Sequence, residues 1–176
     1  RQTMSSGDFR NNEQTVVMPA DDTLTIRFTT DGEERILKDN LNVLEGEVID
    51  ATLMRAADLD AFLAEQIQAA KDAGVLFSAH LKATMMKVSD PIIFGRIVRA
   101  YFPALFEQYG DVLDAAGLSA NNGLAAIIAG AEQLPERDGI LEAIERGYQE
   151  GPVSYTHLRA HETVSYLVCR LLLEKK

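Results

Sequence analysis

The residue best placed to do chemistry is Lys82. It closes a run, Val75 to Lys82, whose side chains alternate: Val75, Phe77, Ala79 and Leu81 to one side, Leu76, Ser78, His80 and Lys82 to the other. That period of two predicts a β-strand with one mostly apolar face. Lys82 would then stand at the strand's carboxyl end, where open α/β sheets place the groups that contact ligands. A lysine there has two readings. With a lowered pKa it can serve as a general acid or base; as a snorkelling surface cation it simply keeps its charge in water. On the residue types alone the solvated surface cation is the commoner outcome.

Its neighbours carry less chemistry. Thr84 can hydrogen-bond in a turn, and Met85 and Met86 suit packing better than a cofactor contact. Lys87 reads as a solvated charge that could face a site mouth. His80 shares the face of Lys82, and a lone histidine there is more often a hydrogen-bonded structural residue than a base or ligand. Asp90 could be a metal carboxylate, but Ser89-Asp90-Pro91 explains it as a helix N-cap followed by proline at the first helical position. Asn121-Asn122-Gly123 reads as a turn before a helix.

The elements that must position Lys82 follow from periodicity. The helix after Pro91 repeats apolar pairs at Ile93/Phe94, Ile97/Val98, Tyr101/Phe102 and Leu105/Phe106. Pro103 should kink or restart it, because proline lacks the N–H and clashes with the preceding turn. Short helices are expected at Asp111 to Ala116, Gly123 to Ala131 and Glu136 to Tyr148. Upstream, Asp58 should cap a helix running to Lys71, with Leu59, Phe62, Leu63, Ile67 and Ala70 on its apolar side and Gly74 ending it. Thr23 to Thr30 and Glu34 to Leu37 flank Asp31-Gly32, a hairpin signal, with Leu24, Ile26 and Phe28 on one half-buried face. A short strand is expected at Glu47 to Ile49 after Gly46. Arg1 to Ala20 reads as a polar, frayed terminus, extended only from Thr15 to Met18. The fold class expected is α/β: an N-terminal β-hairpin, then a strand–helix layer, then C-terminal helices.

The last stretch, Val153 to Lys176 (VSYTHLRAHETVSYLVCRLLLEKK), resembles translated sequencing adapter, so residues 153–176 are expected to be a non-native tail. An amphipathic helix is the alternative for its Leu-rich end. The full chain has 17 basic and 27 acidic residues, net −10; the tail holds four basic and two acidic residues, which leaves −12 for residues 1–152. Such acidity argues against nucleic acid or an anionic membrane as partner and favours a soluble protein. The single cysteine, Cys169, lies in the tail with His157 and His161, so residues 1–152 cannot build a disulfide, a zinc site or a cysteine nucleophile. Their length allows one domain with a modest core.

The run HLKATMMKVSDPIIFG (His80 to Gly95) closely resembles a segment of the monomeric NADP-dependent isocitrate dehydrogenases. The likeness extends through GEVIDATLM (Gly46 to Met54), AKDAGVLFSAHLK (Ala70 to Lys82), NNGL (Asn121 to Leu124) and the break at Leu134-Pro135, covering about Ser6 to Gly151. It implies an internal piece of the substrate-side domain, residues 1–152, of an isocitrate/isopropylmalate dehydrogenase-like fold. The implied reaction is oxidative decarboxylation of isocitrate to 2-oxoglutarate with NADP and Mg2+ or Mn2+. The resemblance implies that Lys82 is catalytic and substrate-binding, taking part in proton transfer; dimeric isocitrate dehydrogenases have a similar Lys-x-Thr-x-x-Lys run. The metal-binding aspartates, the arginine and serine clamp, a catalytic tyrosine and the NADP site are expected outside this segment. So is a cytoplasmic, monomeric enzyme of the tricarboxylic acid cycle or glyoxylate bypass, the segment by itself being inactive. Two other readings stand beside it: a non-catalytic α/β binding module, and a related dehydrogenase acting on isopropylmalate or homoisocitrate.

Overall fold

The computed structural model describes residues 2–79 and 87–152. The chain divides into two compact units, one of residues 3–59 and one beginning at Asp60. Among the described residues are four strands, five α-helices and one 3-10 turn.

The first unit is built from β1 (Gln14–Val17), β2 (Asp22–Thr30), β3 (Glu33–Val43), β4 (Val48–Ala51) and the start of α1 (Ala56–Asp72). β2 and β3 form the expected antiparallel hairpin, Thr30 opposite Glu33, around a two-residue turn. Asp31 (φ 46°) and Gly32 (φ 83°) both take the left-handed conformation that a tight hairpin turn demands, which Asp tolerates and Gly adopts freely. β3 runs six residues past its expected end at Leu37, with register shifts near Ile26. One of these matches Asn40, which sits at φ 54°. The expected half-burial of β2 fails beyond Leu24: Ile26 and Phe28 are half-exposed, because within the first unit no layer packs on them.

β1 pairs antiparallel with β4, Val16 opposite Ile49. The expected frayed terminus is instead tied down. Gly7 accepts a hydrogen bond from the Arg55 amide at 2.7 Å, Asn12 Nδ2 donates to the Leu53 carbonyl at 3.0 Å, and the Thr52 hydroxyl donates to the Phe9 carbonyl. Asp8 accepts from the amide and side chain of Asn11, which hold its carboxyl below the usual 3.8.

The second unit continues α1 and adds α2 (Ser89–Tyr101), α3 (Pro103–Ala115), the 3-10 turn Ala120–Asn122, α4 (Leu124–Ala131) and α5 (Arg137–Glu150). α1 starts two residues before Asp58, which lies in its first turn rather than capping it. Most of the expected stripe is buried: Phe94, Ile97, Val98, Tyr101, Phe102 and Leu105 pack into a core with Leu113, Ile127 and Ile140, while Ile93 and Phe106 are half-buried. Pro103 restarts the helix as foreseen. Phe102 leaves helical geometry (φ −118°, ψ 56°) and Pro103 opens α3, where its missing N–H would have had no helical partner. The separate helix expected at Asp111 to Ala116 is instead the end of α3, which passes Gly110 without a break.

Both sheets are two-stranded and antiparallel. The strand–helix layer expected around Lys82 is not formed by the described residues: 75–79 are irregular. An alternating run becomes a strand only with a neighbouring backbone to pair with. Here Val75 instead donates its amide to the Ala70 carbonyl at 3.0 Å, wrapping the end of α1.

Candidate active-site segment

The stretch from Gly74 to Ser89 joins α1 to α2. Lys82, with His80, Thr84, Met85 and Met86, lies outside the described residues; what the structure defines is the frame on both sides. On the entry side, α1 ends at Asp72 and Gly74 turns the chain at φ 61°. The buried face of α1 is Leu59, Leu63 and Ala70, with Phe62 and Ile67 half-buried, as its apolar spacing predicts. Phe77 then leans on Tyr101 of α2, ring centres 6.3 Å apart. Tyr101 is itself buried and donates its hydroxyl proton to the Pro152 carbonyl at 2.8 Å.

On the exit side, Lys87 and Val88 form an exposed turn. Asp90 is not the N-cap. Val88 holds that position with no side-chain cap, and α2 begins at Ser89, so Asp90 sits within the first turn, buried to 9% exposure. A carboxylate suits that place because the first-turn amides point toward it. Pro91 is third in the helix rather than first, still among the positions whose N–H has no helical partner. Arg96 of α2 reaches Asp60 of α1, linking the two helices that carry the segment's ends. Both groups are substantially exposed, so the pair orients more than it stabilises.

The structure brings together stretches that are far apart in sequence. α2 lies against the turn at Asn121: a Cβ on Gly95 would fall 1.9 Å from Asn121 Oδ1 and 2.9 Å from its backbone nitrogen. A Cβ on Gly123 (φ 90°) would fall 3.5 Å from the Phe94 ring. The turn expected at Asn121-Asn122-Gly123 is there, with Ser119 Oγ accepting from the Asn121 amide at 3.2 Å. Gly95 was not singled out by sequence reasoning; a glycine inside an otherwise regular apolar stripe was the available signal. Among the described residues no group of three or more His, Cys, Asp or Glu side chains could hold a metal ion, and no helix is long and apolar enough to cross a membrane.

With this frame in place, comparison with known proteins is specific. The family model for monomeric isocitrate dehydrogenase matches residues 1–162, which reaches ten residues beyond Pro152. The NADP isocitrate dehydrogenase of Corynebacterium glutamicum is 56% identical over 151 residues, covering 85% of this chain and 20% of that protein. Its counterpart in Corynebacterium efficiens is also 56% identical over 151 residues, 85% of this chain and 21% of the relative. The NADP isocitrate dehydrogenase of Azotobacter vinelandii is 40% identical over 134 residues, 76% of this chain and 18% of the relative. The chain thus spans about a fifth of the length of the curated relatives it matches.

Proposed function

Because this chain belongs to the monomeric isocitrate dehydrogenase family, we propose that it is an internal, substrate-side segment of a single-chain cytoplasmic enzyme that converts isocitrate to 2-oxoglutarate with NADP. The observation that carries this is the 56% identity over 151 residues to proteins named NADP isocitrate dehydrogenase. Residues 153–176 are, in this reading, an adapter-derived tail. The names of the relatives favour isocitrate over isopropylmalate or homoisocitrate, and an enzyme over a binding module.

Lys82 is the residue of this segment that works on the substrate. Oxidation of the isocitrate hydroxyl carbon leaves a β-keto acid, and loss of carbon dioxide from it leaves an enolate that must be steadied and then protonated at carbon. A lysine ammonium beside that oxygen lowers the barrier, because its charge is best matched to the developing anion. The same group can pass the proton. NADP, when bound, takes up the hydride, and a divalent cation draws charge from the substrate oxygens. The ligands for both are assigned to the remainder of the enzyme. Lys87, five residues on and exposed, has no such role.

Steady-state kinetics of the full-length enzyme with saturating metal test this. Lys82→Met should lower kcat by roughly a hundredfold or more, the scale of losing a general acid–base group. Loss of ground-state binding alone would mainly raise KM. Lys87→Met should do much less. Near-normal kcat in Lys82→Met with a collapse in Lys87→Met would place the chemistry on the other lysine.

A further inference from the structure

The two faces of the β2–β3 ribbon differ in a way that points to what covers one of them. On the first face the polar groups satisfy each other: Arg27 pairs with Glu34 at 2.9 Å and Thr25 donates to Asp39 at 2.9 Å, with a single apolar residue, Ile36, 53% exposed opposite Arg27. The second face begins at the half-buried Leu24 and Leu41, which lie opposite each other. It continues outward as Ile26, 50% exposed, opposite Lys38, and Phe28, 53% exposed, opposite Arg35. Among the described residues neither Lys38 nor Arg35 forms an ion pair, although residues 1–152 hold nearly twice as many acids as bases.

An apolar stripe edged by unpaired cations is the imprint of a partner that presents apolar side chains beside carboxylates. We propose that this partner is another part of the same polypeptide, outside residues 3–59, and that the Ile26–Phe28 face is an intramolecular docking surface. The inference rests on the family reading. The matched family is described as monomeric and its members are about five times the length of the segment they share with this chain, so ample chain remains to lie there. A lone two-stranded ribbon is also marginal in water and gains from such cover.

Native-state cysteine labelling of the full-length protein tests this, with the labelled positions located by peptide mass mapping. Phe28→Cys should react at least about tenfold more slowly than Thr29→Cys, the next residue, which points to the opposite face. That ratio should persist on hundredfold dilution, and adding Arg35→Glu to Phe28→Cys should speed its labelling. Equal rates at 28 and 29 in a folded protein would overturn the proposal, as would protection lost on dilution, which would make the cover a second copy. No effect of Arg35→Glu would overturn the acidic character of the occupant. NADPH formation by the unmodified protein, measured alongside, tests the family reading separately.

Discussion

At the scale of single residues, Gly95 shows how a position with no chemistry of its own can hold the frame of a site. The Asn121 side-chain oxygen and, behind it, the Asn121 backbone nitrogen occupy the space where a side chain on α2 would begin, so Gly95→Ala must displace that side chain and push α2 and the Asn121 turn apart. Overpacking of this kind costs about 1–3 kcal/mol, against a gain in helix propensity of at most about 1 kcal/mol. The net expectation is destabilisation by up to about 2 kcal/mol in denaturant unfolding of the chain. Gly110→Ala is the contrast: α3 has nothing within 4 Å of that Cβ, so alanine there should stabilise by about 0.5–1 kcal/mol. Equal effects at the two positions would mean that α2 does not need the close approach. Residue types made some of this readable in advance. The Asp31-Gly32 turn and the break at Pro103 are properties of those residues themselves. The pairing of Gly95 with Asn121 is not, because it joins residues 26 apart and nothing local to either announces the other.

Whole elements were legible where a helix carries its own pattern. The stripe from Phe94 to Leu105 is buried as its spacing requires, and α4 and α5 lie within a few residues of their expected bounds. Strands were read less well, since a strand is completed by its neighbour. β1 was seen only as an extended piece, and its pairing with β4, about 35 residues on, left no mark in either sequence. The run before Lys82 alternates like a strand yet stays irregular through residue 79. The stretch from Val153 onward is the other element whose status matters. The last described contact before it is the hydrogen bond of Tyr101 to Pro152, which closes the core over α5. If residues 153–176 are adapter-derived, nothing selected them to pack. Deleting them should leave the melting temperature of residues 1–152 unchanged or slightly raised. A marked fall would show that the family match out to residue 162 reflects genuine structure.

For the whole molecule, composition excluded more than it assigned. The acidity argues against nucleic acid as a partner, and residues 1–152 contain no cysteine from which to form a disulfide or a thiol nucleophile. The wording of HLKATMMK then did what composition could not, and the family match extends that likeness over most of the chain. On the proposed function, Lys82 is the one group this segment supplies, and a tricarboxylate, a divalent cation and NADP call for further groups from elsewhere in the polypeptide. The most direct measurement is therefore NADPH formation with isocitrate and Mg2+ or Mn2+, followed by its absorbance, for the full-length protein and for the purified chain of residues 1–152. The full-length protein should produce NADPH together with 2-oxoglutarate, and the isolated chain should stay at background. Turnover by residues 1–152 alone, or a full-length protein that forms no NADPH from isocitrate, would contradict the account.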